Sequence, residues 1–224
     1  MIGIIIPFKG NLEYTKICIE SISCREPYTI IGVDNGDEET ADYIGRIGCV
    51  IEQKELNISK MWNDGIEFAI SAGCDKFIIM NTDICLFGRT IEKMSKALDK
   101  HYCAQPLRIE SQSGYNPLVS ELGEILLRED SYKPGGICGP CFGLSLDGVN
   151  ALKEDGCANG NVFDEQFKLF YGDADLLRRL YKLGHPPVDI QNAVIYHYYS
   201  KTLLTINFQK IIEEDAKCFK EKYE

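Results

Sequence analysis

Three short β-branched runs, each breaking into polar residues at its C-terminal end, constrain the fold of this chain more than any other feature. Ile2-Gly3-Ile4-Ile5-Ile6 stops at Pro7, Tyr28-Thr29-Ile30-Ile31-Gly32-Val33 stops at Asp34-Asn35-Gly36-Asp37, and Lys76-Phe77-Ile78-Ile79-Met80 stops at Asn81-Thr82-Asp83. Runs with almost no alternation are strands buried on both faces, as in parallel sheets covered by helices. The segments between them read as helices. One starts at Leu12 with Asn11 as N-cap and carries Ile17, Ile19 and Ile22 on its apolar side. Glu38–Ile44 is a short second helix, and Cys49-Val50-Ile51 a further strand. Ser59 is the expected cap of a helix with Trp62, Ile66, Ala69 and Ile70 on one stripe, ended by Gly73. Strands alternating with helices predict an α/β domain with a mainly parallel central sheet flanked by helices. Pro7, Asp34 and Asn81 then lie along one sheet edge, where ligands of open α/β sheets bind.

The second half is less regular. Gln105–Gly148 carries Gly and Pro punctuation, with Ile125–Leu127 as a strand or hairpin arm. Asp147–Glu154 reads as a short helix. Asp173–Leu183 is a helix with Leu176, Leu177, Leu180 and Leu183 on one face, closed by Gly184 and Pro186. Val194–Tyr199 is a late strand, and Phe208–Phe219 a charged amphipathic helix. Neither repeat nor linker interrupts the chain, so one domain over residues 1–224 is expected.

A formal net charge of −10 argues against a broad nucleic-acid or anionic-membrane surface, both of which need clustered Lys and Arg. No stretch approaches the roughly 20 apolar residues of a membrane span. The N-terminal apolar run is too short for a leader and lacks a charged segment before it. The ten cysteines are scattered on apolar faces (Cys18, Cys49, Cys74, Cys85), as in a reduced protein, and a cytoplasmic setting is expected.

Four constellations carry chemistry. Asn81-Thr82-Asp83 places a carboxylate at a strand end, suited to a hard cation that keeps open positions for phosphate oxygens; as a bare pattern it is also a common polar turn. Asp34-Asn35-Gly36 can accept hydrogen bonds from a base or ribose, or simply turn the chain. In Tyr171-Gly172-Asp173-Ala174-Asp175 the acids sit at a helix start, as capping residues or as a general base for an acceptor hydroxyl. The helix dipole there lowers a carboxyl pKa unless burial opposes it. His197, near the end of the late strand, is a metal ligand or a satisfied core group, and Lys201 can neutralise a departing diphosphate. Cys138-Gly139-Pro140-Cys141 spells a redox tetrad, but it lies late in the chain and runs into strand-like Phe142-Gly143-Leu144-Ser145, so a strand entry is expected.

Taken in order, these residues resemble the family 2 glycosyltransferases of the GT-A fold, especially the rhamnosyltransferase-like branch. Ile4-Ile5-Ile6-Pro7 with Cys18-Ile19-Glu20-Ser21-Ile22 looks like that family's opening strand and helix. Ile30–Gly36 is similar to its base-binding strand, and Asn57 with Trp62-Asn63-Asp64-Gly65-Ile66 to its Asn-rich helix start. Phe77–Asp83 resembles the strand carrying its metal motif. Phe163-Asp164-Glu165, Tyr171 and Asp173-Ala174-Asp175-Leu176 match its acceptor-base region, His197 its late histidine, and Phe219–Tyr223 its ending. The likeness spans nearly the whole chain and is poorest over Gln105–Lys133.

The resemblance implies an inverting transferase that moves a sugar from a UDP-, GDP- or dTDP-sugar donor onto a hydroxyl of a glycan, lipid-linked sugar or protein. Residues 1–100 would be the nucleotide-binding half and 101–224 the acceptor-binding half. Asp34 would bind the base beside Pro7, Phe8 and Lys9, with Asn35, Asn57, Lys60, Asn63, Asn81, Thr82 and Lys201 also around the nucleotide. Asp83, with His197 as a further ligand, would hold Mn²⁺ or Mg²⁺ on the diphosphate. Asp173, or else Asp175, would be the catalytic base. Three departures stand out: Asn81 replaces a frequent Asp, Gly172 a frequent Glu, and Lys9 a common aromatic. A sugar nucleotidyltransferase is the rival enzyme, although Phe8-Lys9-Gly10-Asn11 is a poor phosphate loop. A nucleotide-sugar-binding module without turnover is the non-enzyme rival.

Overall fold

The computed structural model describes residues 1–110, 139–198 and 208–224. The strands are β1 (Ile2–Phe8), β2 (Tyr28–Asp34), β3 (Cys49–Glu52), β4 (Lys76–Met80), β5 (Ile84–Phe87), β6 (Cys103–Glu110), β7 (Cys141–Ser145) and β8 (Val188–His197). The helices are α1 (Leu12–Glu20), α2 (Glu38–Gly45), α3 (Ile58–Ser71), α4 (Thr90–Leu98), α5 (Leu146–Glu154), α6 (Gly172–Lys182) and α7 (Gln209–Tyr223).

All eight strands join one sheet in the order β3-β2-β1-β4-β7-β6-β8-β5. The first half is the parallel sheet that the apolar runs predict: β1 pairs in parallel with both β2 and β4, and β2 with β3. The second half is mixed, because β7 runs antiparallel to β4 and β6, and β5 antiparallel to β8, while β6 and β8 are parallel. Every residue of β1 and of β7 is buried. On one face Ile2, Ile4, Ile6 and Phe8 pack with Cys18 and Ile19 of α1, Ile44 of α2 and Met94 of α4. On the other, Ile5, Ile31 and Ile79 pack with Trp62 and Ile66 of α3, Leu152 of α5 and Leu176 of α6. A two-sided core of this kind explains why the strands read as continuous rather than alternating runs.

The helix ends correct one expectation and keep another without its side-chain bond. Asn57, not Ser59, caps α3: its side chain accepts the N–H of Lys60, and Ser59 is buried inside the first turn. Asn11 stands at the N-cap of α1 in the left-handed region (φ 67°) and makes no side-chain cap bond. Gly73 does close α3, with φ 80° just past the C-cap. The arm expected at Ile125–Leu127 lies outside the described residues.

Gly65 sits where α3 crosses β1, and a Cβ there would overlap Ile5 Cγ2. Gly65→Ala is therefore expected to destabilise the fold by about 1–3 kcal/mol, the usual cost of overpacking, despite alanine's better helix propensity. Denaturant unfolding measures it, and a neutral or stabilising result would show that α3 can slide off the sheet.

Candidate active site

β2 and β4 flank β1 on opposite sides, so the crossovers that follow β1 and β3 leave in different directions and a crevice opens at the C-terminal ends of these strands. A cavity of about 390 Å³ occupies it. Pro7, Phe8, Lys9 and Asn35 form one side, Asn81, Thr82 and Asp83 the floor, and Arg108, Asp173 and His197 the opposite side. An apolar flank is added by Leu56, Ile58, Met61 and Trp62 from around the start of α3, and by Leu169 and Phe170 ahead of α6.

The pairing of β5 with β8 assembles the acidic floor. Ile84 is in register with His197, which sets Asp83 beside the histidine, and the N–H of Tyr198 donates to the Asp83 carbonyl at 2.9 Å. His197 Nε2 lies 3.6 Å from Asp83 Oδ1, and both side chains are buried. That separation is long for a hydrogen bond but suits two ligands of a common ion. Among the described residues no three His, Cys, Asp or Glu side chains gather into a metal-binding group. One carboxylate and one imidazole at this spacing would suit a hard divalent ion whose remaining positions are filled by phosphate oxygens and water.

Asp173 is the second residue of α6 and lines the cavity half-buried. Burial pushes its carboxyl above the ordinary range. The N–H groups of Ala174 and of Asp173 itself oppose that rise, as does the positive charge of Arg108. Oδ1 accepts the Ala174 N–H at 2.9 Å. Gly139 gives the carboxylate its room, since a Cβ there would stand 2.7 Å from Oδ2. Gly172 answers a similar need: a Cβ in its place would meet Ser59 Oγ at 2.8 Å, so a larger side chain is crowded here. Tyr171, just before α6, holds a left-handed conformation (φ 65°, ψ −8°), a strained state for a bulky residue.

On the far side Lys9 Nζ donates to the Asn35 carbonyl (3.2 Å) and Oδ1 (2.9 Å). The Asn35 amide in turn donates to the carbonyls of Gln53 (2.7 Å) and Glu55 (3.0 Å), so the ammonium is fixed on the β2 side of the cavity.

Several expected site residues are employed elsewhere. Asp34 turns out of the cavity, where Oδ1 accepts the N–H groups of Gly36 and Asp37, and its neighbour Asn35 faces the cavity instead. Asn57 caps α3 and donates to Glu165 O, while Asn63 is bound to both backbone groups of Phe163. Lys60 pairs with Asp64 at 3.4 Å along the helix. Asp175 is fully buried among Arg179, Lys222 and Tyr223 and does not line the cavity, so of the two candidate bases only Asp173 is placed to reach a substrate. Lys201 and Cys138 lie outside the described residues. Cys141 is a buried residue of β7 in register with Met80, as a strand entry requires. Sequence reading missed Arg108 and the apolar flank. Arg108 falls within Gln105–Gly148, the stretch that reads as irregular, and the flank reads as core.

A crystal structure of GalNAc-T7 with UDP, GalNAc and Mn²⁺ matches 88% of this chain with a TM-score of 0.64 at 13% identity. The fold is of the GT-A type. The chain spans 44% of that structure's chain. No protein-family model and no curated protein sequence matches it. No helix among the described residues is long and apolar enough to cross a membrane.

Proposed function

We propose that this GT-A domain is a metal-dependent, inverting glycosyltransferase of the family 2 kind, transferring a hexosyl or deoxyhexosyl group from a nucleotide-diphosphate-sugar to a hydroxyl acceptor. One observation carries the reading: Asp83, His197 and Asp173, distant in sequence, line one cavity at the strand ends of a GT-A sheet. The GalNAc-T7 structure, which holds UDP and Mn²⁺ on the same fold, supports the choice of donor and ion.

In this reading Lys9 and Asn35 hold the base end of the donor, and Asn81 and Thr82 the groups next to the diphosphate. Asp83 and His197 would hold Mn²⁺ or Mg²⁺, which when bound offsets the charge developing on the departing diphosphate. Asp173 accepts the proton of the attacking acceptor hydroxyl as its oxygen bonds to the anomeric carbon on the face opposite the leaving group. Burial keeps that carboxylate more basic than an exposed one, which favours uptake of the proton. The positive charge of Arg108 opposes that rise in basicity.

Calorimetric titration with UDP, GDP and dTDP, each with and without Mn²⁺, tests the donor site. One nucleotide should bind more tightly when the ion is present, and in Asp83→Ala the ion should no longer change its affinity. Equal affinities with and without Mn²⁺ in the wild type would remove the metal from the reading. Product formed with the donor's own anomeric configuration would remove the single displacement.

A further inference from the structure

α7 carries one buried residue, and it is an acid: Asp215 is 1% exposed on a helix that is otherwise half-buried or exposed. Among the described residues its carboxylate pairs with no basic side chain. Oδ1 accepts the N–H of Lys168 at 3.1 Å, and Oδ2 accepts the N–H groups of Leu169 and Phe170, each at 2.9 Å. Three consecutive backbone donors converge on one buried carboxylate, and these bonds fix the path of the segment that supplies them. That segment is part of the cavity wall. Leu169, Phe170 and Tyr171 all line the cavity, and the chain then runs through Gly172 into Asp173.

The rest of α7 and Phe208 just before it back the same wall. Phe208 packs on Phe170 with ring centres 5.9 Å apart, and Phe219 packs on Tyr171 at 5.0 Å and on Phe167 at 6.0 Å. On its other side the segment is tied to α3 by the Ile58 N–H, which donates to Lys168 O at 2.6 Å. The strained backbone of Tyr171 is held between these anchors. The bonds of the Asp215 carboxylate go to the backbone of residues 168–170, away from Lys9, Asn35 and Asp83.

We propose that Asp215 is a positioning residue for the acceptor: by gathering the N–H groups of residues 168–170 it sets the wall against which the acceptor lies and aims Asp173 at its hydroxyl, leaving the donor side independent. The proposal rests on the glycosyltransferase reading for the word acceptor, and on geometry alone for the division of the cavity into an anchored wall and a separate donor floor.

The test uses the full chain with Asp215→Asn, which removes the charge and one acceptor oxygen. A panel of p-nitrophenyl glycosides serves as acceptors. The acceptor KM is expected to rise about tenfold or more, as a misplaced site wall requires, while the affinity for the nucleotide with Mn²⁺ changes less than about twofold. Phe208→Leu, which loosens the backing of Phe170 without disturbing a buried charge, should move the acceptor KM the same way by less; it stands in if the first variant does not fold. Amide hydrogen exchange supplies a readout independent of transfer: the amides of residues 168–171 should lose protection while those of Asn81–Asp83 keep theirs. Lower thermal stability with an unchanged acceptor KM, or exchange that rises equally at both places, overturns the proposal. A wild type that transfers to no glycoside counts against glycosyl transfer, and the exchange comparison then decides the role of Asp215 by itself.

Discussion

Asp173→Asn is expected to reduce sugar transfer by about 10²-fold or more, the usual scale for loss of a general base, and to leave the folded protein at least as stable as the wild type at pH 7. The two halves of this expectation have one physical source. Burial raises the pKa of the Asp173 carboxyl, so the folded chain holds that proton more tightly than the unfolded chain does. The resulting stabilisation is complete below the ordinary carboxylate range and is lost as pH climbs through the raised folded value. At pH 7 an ionised Asp173 is therefore a cost to the fold. Asparagine keeps an oxygen for the Ala174 N–H and cannot ionise, so it removes the cost together with the base. Transfer kinetics and thermal unfolding at pH 4 and pH 7 check both halves. The variant's advantage in melting temperature should be larger at pH 7 and shrink toward pH 4. A variant that transfers normally would take the base role from Asp173, and one that is less stable at pH 7 than at pH 4, relative to wild type, would contradict the burial argument.

The half of the sheet built from β1 to β4 was legible because its strands are covered on both sides. Ile4, Ile5 and Ile6 point alternately into two cores, so the run is apolar throughout, and the polar residues that follow mark the ligand edge. β5 was not legible: Ile84 begins four residues after Met80, too close to separate from β4 by pattern, and its partner β8 is a hundred residues away. β6 was hidden by Pro106 and by the register shift next to it. Asp83, His197 and Asp173, which line the cavity, stand out in the sequence because acids and a histidine at element ends are conspicuous. Asn57 and Asn63 were assigned to the nucleotide through the resemblance, yet they hold the loop at Phe163–Glu165. A polar side chain that satisfies a distant backbone looks, in sequence, just like one that binds a ligand. Asp215 shows the converse, since it reads as one more charge on a solvated helix and is buried.

Arg179 is the residue whose loss should cost the fold most. It follows Leu176 on α6 at helical spacing, so the apolar stripe passes through it, and it is 2% exposed. Its guanidinium meets Asp155 through Nε (2.6 Å) and Nη2 (3.2 Å), and the carbonyls of Val162 and Leu152 at 2.6 Å each. It also lies 3.4 Å from Asp175, which is held in turn by Lys222 and by the Tyr223 hydroxyl. One planar cation thus joins the end of α5, the loop before α6, and α6 itself, with α7 attached through Asp175. Arg179→Met fills much of the volume but leaves Asp155 with the Cys157 N–H alone and strips the Val162 and Leu152 carbonyls of the guanidinium. Removing one partner of a buried ion pair typically costs about 3–5 kcal/mol, and that loss is expected in denaturant unfolding. Arg179→Lys should recover little of it, because a single ammonium cannot reach both carbonyls and the Asp155 carboxylate together. A loss under about 1 kcal/mol for either variant would mean that water enters and satisfies the carboxylates, and that α6, with Asp173 at its head, is held by its leucines alone.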